Sequence, residues 1–185
     1  MGMGMHDDVI EDLTVSIIKE EDAVQMIELQ MRLADETVFL LRALDEVEID
    51  AEKQRDEIRK NRNDVSSFLF GAYIKGKLVG FLSGSRGKFS RNQHVAHLAI
   101  GVLEAYWGKG VAKRLMTSFI TWAKEVDISR IEMEVVEDNQ RALAFCYHFG
   151  FKIEGKKESD HFVKEDKYLN TYVLGKIIDR KIITD

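Results

Sequence analysis

Residues 102–113 of this 185-residue chain read VLEAYWGKGVAK, and this stretch decides the fold. An apolar run, 95–102, leads into it, and apolar residues recur behind it at helical spacing to about residue 127. The pattern predicts a strand that stops, a turn on Gly108 and Gly110, and the start of a helix. Glycines let backbone N–H groups approach a ligand closely, and a helix N-terminus favours negative charge. The corner is therefore a candidate site for a phosphate or a pyrophosphate.

Periodic patterns on both sides of the corner predict the remaining elements. In chain order, the sequence predicts a strand at 13–18, helices at 23–34 and 51–62, strands at 68–74, 78–83 and 94–102, a helix at 111–127, a strand at 130–136, a helix at 139–149, and a final strand pair at 151–153 and 168–174. A polar segment, 154–167, separates the last two strands. This order predicts an α/β fold with a mixed central sheet of about six to seven strands, flanked by about four helices.

Composition limits the class of protein. The chain is 45% hydrophobic and 32% charged, as is usual for a globular domain, and it shows no repeat. We expect one domain at 13–185 behind a frayed segment at 1–12. A net charge of −5 without a basic cluster disfavours a nucleic-acid partner. No apolar stretch reaches the roughly 18 residues of a membrane span, and the N-terminus is unlike a secretory signal, so we expect a cytoplasmic protein with no membrane partner.

Two known phosphate-binding patterns do not fit the corner. A P-loop requires G-x-x-x-x-G-K-[S/T], but position 103 is leucine and Gly110 follows Lys109. The dinucleotide fingerprint G-x-G-x-x-G matches Gly108 and Gly110 and then meets Lys113 where it needs a third glycine. Neither a P-loop nor a dinucleotide fold therefore accounts for the two glycines.

A third pattern fits, and it extends to a second part of the chain. The corner resembles motif A of the GNAT superfamily of N-acetyltransferases, [Q/R]-x-x-G-x-[G/A], with Trp107, Gly110 and Ala112 at the three defined positions. Tryptophan at the first position departs from that pattern, but the position mainly offers backbone to the ligand. The second signature of the superfamily, N-x-x-A followed by l-G-F, is similar to residues 139–142 and 149–151. On both signatures the chain is identified as a member of this superfamily.

The resemblance implies acetyl-CoA as co-substrate, no metal, and direct transfer of the acetyl group to a primary amine. The pyrophosphate would bind the N–H groups of the corner, and the pantetheine would run along the edge of the strand before it. Asn139 would touch the cofactor from the end of the neighbouring strand. The residues expected to bind the cofactor are Ile100, Gly101, Val102, Trp107, Gly108, Lys109, Gly110, Val111, Ala112, Lys113 and Asn139.

The acceptor is less well defined than the cofactor. The tail at 150–172 is similar to that of the ribosomal-protein N-terminal acetyltransferases, a branch that also includes enzymes of small amines. The acceptor is therefore a protein N-terminus or a small-molecule amine. In this family the first two helices and the last hairpin form the acceptor wall, which makes Glu36, Glu46 and Glu48 candidates for binding a cationic amine, with plain surface residues as the alternative. Family members are often dimers, so the resemblance also implies a possible homodimer.

Two histidines are candidates for the catalytic base. A Lys-type amine has a pKa of about 10.4, so it must lose a proton before it attacks a thioester. His94 and His97 lie on the strand that enters the corner, and histidine is suited to base work near neutral pH. Their offset of three places them on opposite faces of the strand. We prefer His97, which is nearer the thioester end, and the alternative for either residue is a packed sheet histidine.

The proton donor to the departing thiolate is the main departure from the family. Many members carry a tyrosine four residues after the alanine of the second signature, but here that position is Cys146. Tyr147 follows one residue later, rotated by about 100° around the helix. Cys146 is thus a candidate donor, with a buried packing residue as the alternative. The missing tyrosine also leaves a second function open, an acyl-CoA-binding sensor or regulatory module without turnover.

Overall fold

The computed structural model describes residues 12–164 and 166–178. Within them, seven strands form one mixed sheet, flanked by four α-helices. The predicted α/β class is confirmed. The predicted frayed segment, 1–12, lies outside the described residues except for Asp12, and so does the end of the chain, 179–185, so the domain limits 13–185 stay a prediction. The elements are β1 Leu13–Ile17, α1 Ala23–Glu36, α2 Ala51–Asn63, β2 Ser67–Ile74, β3 Lys77–Arg86, β4 Val95–Val102, α3 Val111–Glu125, β5 Arg130–Val136, α4 Gln140–His148, β6 Lys152–Lys164 and β7 Lys167–Ile177.

The strands β4 and β5, in the middle of the sheet, pair at their beginnings and separate toward their carboxyl ends. The strand order is β1-β2-β3-β4-β5-β7-β6, and only β4 and β5 pair in parallel. Their ladder joins residues 95–98 to residues 130–133 and then stops, although β4 continues to Val102 in register with β3. The carboxyl ends of β4 and β5 therefore part, and this is where ligands bind in many open α/β sheets.

Each face of the sheet carries its own core. On one face α3 packs Leu115, Met116 and Phe119, all fully buried, into a cluster that includes Ala96 of β4. On the other face α1 and α2 bury a second cluster. Because side chains alternate along a strand, His97, Ala99 and Gly101 lie on the α1–α2 face. This assignment agrees with Gly101, where an added Cβ would meet Leu33 of α1 at 2.9 Å.

One predicted connector is wrong. The polar segment 154–167 was expected to be irregular, but most of it belongs to β6 and β7, which form a long hairpin. The strand β6 lies at the edge of the sheet and exposes most of its side chains. Apolar alternation, the usual signal of a strand, is therefore missing, and backbone pairing with β7 holds the strand in place.

Candidate active site

A cleft of about 1390 Å³ opens where β4 and β5 part. One part of it, the corner half, is lined by the glycine corner, the first turn of α3 and residues 139–142 at the start of α4. The other part, the α1–α2 half, is lined by α1, the loop 37–50, α2 and the sheet face that carries His97. Residues of both parting strands, Ile100 and Val135 among them, also line the cleft.

The corner is built on two glycines with left-handed backbone. Gly108 has φ of 71° and Gly110 has φ of 79°, and Gly110 is the N-cap of α3 without a side-chain capping bond. A Cβ at either position would meet no atom within 4 Å. The positive φ angles favour glycine at both positions. The absence of nearby atoms among the described residues shows that the space in front of the helix is open. Such an opening at a helix N-terminus can hold an anionic group.

The side chain of Trp107 makes two contacts that hold the corner in place. Its indole N–H donates to the carbonyl oxygen of Val102 at 2.7 Å, which ties the corner to the last residue of β4. The guanidinium of Arg141 lies 4.4 Å from the centre of the Trp107 ring, a cation–π contact that joins the corner to α4. Tryptophan at the first position of the motif thus fixes the two walls of the corner half together.

Asn139 both lines the cleft and caps α4. Its side-chain oxygen accepts a hydrogen bond from the backbone N–H of Ala142 at 3.1 Å. The side chain of an N-cap residue accepts a hydrogen bond from the backbone N–H two or three residues later, so the spacing N-x-x-A is typical of a helix start. The structure thus gives a local reason for the first part of the second signature.

Most of the predicted cofactor residues lie together. The residues of that prediction that line the cleft are Ile100, Gly101, Val102, Trp107, Gly108, Gly110, Val111, Ala112, Lys113 and Asn139. Lys109 lies outside the lining, with its ammonium 5.6 Å from the centre of the Tyr106 ring. Of the three predicted catalytic residues, only His97 lines the cleft.

A carboxylate lies beside His97. Residues His97 and Glu132 are direct neighbours across the β4–β5 ladder, and Nδ1 of the imidazole lies 3.1 Å from Oε2 of Glu132. The second oxygen of Glu132 accepts from Nε of Arg130 at 2.7 Å. Ion pairs with Glu154 and Glu132 raise the pKa of Arg130 further above its ordinary value, so its charge is permanent. Glu132 is therefore close enough to pair with His97 when the imidazole takes a proton.

His94 has a different position. It is half-buried, lies just before β4, and does not line the cleft. Its backbone carbonyl accepts the N–H groups of Ser129 at 3.0 Å and Arg130 at 3.1 Å. The residue therefore joins the beginnings of β4 and β5, away from the end where the strands part.

Cys146 lies in the core. Its exposed fraction is 0%, it packs in the cluster beneath α3, and burial raises the pKa of its thiol to about 12. A CoA-type thiol has a pKa of about 8.5, so a thiol that holds its proton this strongly is a poor donor to the departing thiolate. Tyr147 is 51% exposed and also lies outside the lining of the cleft.

This placement predicts a small effect for Cys146→Ala. Removing the buried sulfur should lower the free energy of unfolding by about 1 kcal/mol, while kcat should stay within about threefold of the original value. Thermal unfolding and a CoA thiol-release assay would measure the two quantities. A loss of kcat beyond about tenfold in a folded variant would instead give Cys146 a chemical role.

Sequence reasoning missed Glu132 and Arg141, which the structure adds to the site. Their contacts depend on the register between β4 and β5 and on the approach of α4 to the corner, and neither is written in the local pattern. Of the acidic residues predicted for the acceptor wall, Glu36 lines the cleft and accepts the N–H of Glu104 at 2.7 Å. Glu46 and Glu48 do not line it, because Glu46 caps Ala43 and Glu48 pairs with Lys53.

Two other kinds of feature are absent from the part of the chain that the structure describes. There, no three His, Cys, Asp or Glu side chains are grouped as metal ligands would be. None of the helices in the same residues combines the length and the apolar character needed to cross a bilayer.

Comparison with protein families identifies a match over most of this region. Residues 32–151 match the model of the acetyltransferase (GNAT) family, and they include both glycines of the corner and the second signature. The chain is 30% identical over 107 residues to the L-amino acid N-acetyltransferase AaaT of Escherichia coli K12. That match covers 57% of this chain and spans about 65% of the length of the relative.

Solved structures share the fold. A GNAT-family acetyltransferase of Streptococcus pneumoniae superposes with a TM-score of 0.84 and 26% identity, over 90% of this chain and 99% of that one. A ribosomal-protein-S5-alanine acetyltransferase of Vibrio fischeri gives 0.78 and 22%, over 90% and 93%. YncA of Salmonella typhimurium, a putative acetyltransferase solved with its cofactor acetyl-CoA, gives 0.79 and 14%, over 95% and 99%. At these last two identities the likeness concerns the fold alone.

Proposed function

Since the chain belongs to the GNAT acetyltransferase family, we propose that it transfers the acetyl group of acetyl-CoA directly to a primary amine, either of a small molecule or of a protein N-terminus. The observation that carries the proposal is one cleft that holds both an anion corner and a histidine beside a carboxylate. The name of the Escherichia coli relative supports a small acceptor.

The corner half fits the cofactor. The left-handed Gly108 and Gly110 leave open space in front of α3, where the first N–H groups of the helix can bind the two phosphates. Each contact between an anion and a helix N-terminus contributes about 0.3–1 kcal/mol when exposed and up to about 2 kcal/mol when partly buried. Several converging donors are therefore needed, and a continuous turn from 108 to 112 supplies them. The edge of β4 beyond Leu98, which β5 does not pair, can bind the pantetheine as an added strand.

The chemistry assigned to the chain is proton removal and positioning. Acetyl-CoA supplies an acetyl group whose C–S bond breaks as the new C–N bond forms. Nε2 of His97 accepts a proton from the ammonium of the acceptor, which then attacks as a neutral amine. The proton moves directly or through water, since 63% of the His97 side chain is exposed to solvent. Glu132 and Arg130 hold the ring in one orientation. The departing thiolate needs little help, since a thiol with pKa near 8.5 is a tolerable leaving group, and water can return the proton.

A second function remains to be tested against this one, an acyl-CoA-binding module without turnover. The observation that favours it is that neither Cys146 nor Tyr147 lines the cleft where many family members place a tyrosine. Release of CoA thiol, measured with acetyl-CoA in the presence and in the absence of an amine panel, separates the two. A transferase releases thiol only when a suitable amine is present, whereas a module binds acetyl-CoA and releases none.

The pair of His97 and Glu132 makes a separate prediction. Glu132→Gln should lower kcat by about tenfold, because the amide can present its NH₂ to Nδ1 and leave the proton on Nε2, where it blocks base action. In a His97→Gln background the same change should have no further effect, since Glu132 then has no imidazole to orient. Steady-state kinetics of the double-mutant cycle measure this coupling. Additive losses would show that Glu132 acts independently of His97.

A further inference from the structure

We propose that the acceptor is a small primary amine that carries a large apolar group, rather than the N-terminus of a protein. This inference rests on the proposed function and concerns the α1–α2 half of the same cleft. Ligand pockets usually measure about 300–1,000 Å³. The cleft, at about 1390 Å³, therefore has room for a second ligand beside the cofactor.

The inner wall of the α1–α2 half is apolar. It is formed where α1, α2, β2 and β3 meet, and most of its side chains belong to the second core cluster or pack against it. Phe39, on the loop after α1, closes this wall and is only half-buried. An apolar group of the acceptor would lose its contact with water here, which favours binding. The residues of this wall are Met26, Leu33, Phe39, Ile58, Leu69 and Phe81.

The polar groups of the same half suit an ammonium ion. The carboxylates of Glu57 and Asp160 line it, and so do those of Glu36, Glu132 and Glu134, which pair with Arg32, Arg130 and Lys157. In addition, Gln30 and Thr171 line the cleft, while Oε1 of Gln30 and Oγ1 of Thr171 are buried beneath its surface and have no hydrogen-bond partner among the described residues. A buried oxygen without a donor is costly, so both side chains gain if they turn toward a donor in the cleft.

Thr171 lies on the same face of the sheet as His97. Val136 pairs with Thr171, and Glu132 pairs with His97. Glu132 and Val136 are four residues apart on β5, so their side chains share a face. Thr171 and His97 therefore lie on one face of the sheet, two strands and four residues apart, a separation of about 16 Å.

The β6–β7 hairpin and the loop after α1 are in contact beside the α1–α2 half. Nε2 of His161 on β6 lies 2.7 Å from the carbonyl oxygen of Val38, and this hydrogen bond joins the long hairpin to the loop after α1. His161 is buried, with 8% of its surface exposed. The hydrogen bond ties the hairpin to this loop beside the α1–α2 half, and a peptide probe tests whether a longer acceptor can pass it.

Three probes test the proposal with the same assay of thiol release from acetyl-CoA. Phenylalanine amide and serine amide share the amine and differ in the side chain, and a peptide amide that begins with phenylalanine differs in length. We expect kcat/KM for phenylalanine amide to exceed that for serine amide by about tenfold or more, the discrimination that an apolar pocket provides. The peptide should be acetylated less efficiently than phenylalanine amide.

Phe39→Ala tests the wall itself, and Phe89→Ala is its matched control. Phe89 is 76% exposed, lies on another loop, and does not line the cleft. Phe39→Ala should reduce the preference for phenylalanine amide over serine amide by about tenfold, while the KM for acetyl-CoA stays unchanged. Phe89→Ala should leave both quantities unchanged. A ratio of two acceptors is insensitive to partial unfolding, which lowers both rates equally.

Three results would overturn the inference. They are equal rates with the two amides, faster acetylation of the peptide, and an unchanged preference in Phe39→Ala. Each of them would leave the proposed function standing, because amine-dependent thiol release would still be observed. Absence of release with all three probes and with a broad amine panel would instead remove the proposed function and this inference together.

Discussion

Gly110→Val should weaken acetyl-CoA binding by at least a hundredfold, about 2.7 kcal/mol, and should abolish turnover at ordinary cofactor concentrations. Valine strongly disfavours the left-handed backbone that Gly110 adopts, with φ of 79°, so the turn would have to rearrange. The added side chain would also stand in the open space in front of α3. Both effects displace the N–H groups that we assign to the pyrophosphate. Isothermal titration with acetyl-CoA measures the loss.

The chain contains a matched control for this substitution. Gly76, in the turn between β2 and β3, also has a left-handed backbone, with φ of 77°, and a Cβ there would meet no atom within 4 Å. Gly76→Val should therefore carry a similar conformational cost, roughly 1–2 kcal/mol of stability, without changing acetyl-CoA affinity. If Gly110→Val bound acetyl-CoA as tightly as the unaltered chain, the assignment of the corner to the pyrophosphate would be refuted.

His97→Gln should lower kcat by about 10² to 10⁴ at neutral pH, the range expected for loss of a general base. Glutamine keeps a polar side chain of similar reach but cannot take a proton from the amine. Acetyl-CoA affinity should stay unchanged, because His97 lies on the α1–α2 face and not at the corner. Stopped-flow or steady-state thiol release at saturating acetyl-CoA provides the measurement.

The pH dependence of this variant follows from the charge of the acceptor. An α-amino group, with a pKa of about 7.7–8.0, is largely protonated at neutral pH and becomes neutral as the pH rises. The base is then no longer required, so the gap between the variant and the unaltered chain should narrow toward pH 10. His94→Gln is the control, since His94 lies outside the cleft, and its kcat should change by less than about threefold. An equal loss in both variants would argue against His97 as the base.

Much of the fold could be predicted because its signals are local. The strand before the corner, the glycines and the amphipathic α3 are adjacent in the chain, so periodicity and turn chemistry are enough to order them. The hairpin of β6 and β7 could not be predicted in full. Edge strands with charged side chains on both faces carry no apolar alternation, and their pairing depends on the partner strand.

The candidate site likewise has one part that local sequence predicts and another that depends on strand pairing. Apart from Asn139, the predicted cofactor residues fall in one short stretch, 100–113, and all but Lys109 line one cleft. The catalytic residues depend on which strands become neighbours. Glu132 meets His97 only because β5 pairs with β4 in parallel at that register, and nothing in the 34 intervening residues indicates this pairing. Cys146 illustrates the converse, because its place in the motif suggested chemistry while its helix face turns it into the core.

The central claim is direct transfer from acetyl-CoA to an amine, and acetyl-CoA labelled in its acetyl group tests it most directly. After incubation with the protein and phenylalanine amide, mass spectrometry should find the label in the amide bond of the acceptor, and none on the protein, in proportion to the CoA thiol released. Label that stays on acetyl-CoA, with tight binding and no acetylated amine across a broad panel, would contradict the claim and favour a binding module. Label attached to the protein would contradict direct transfer.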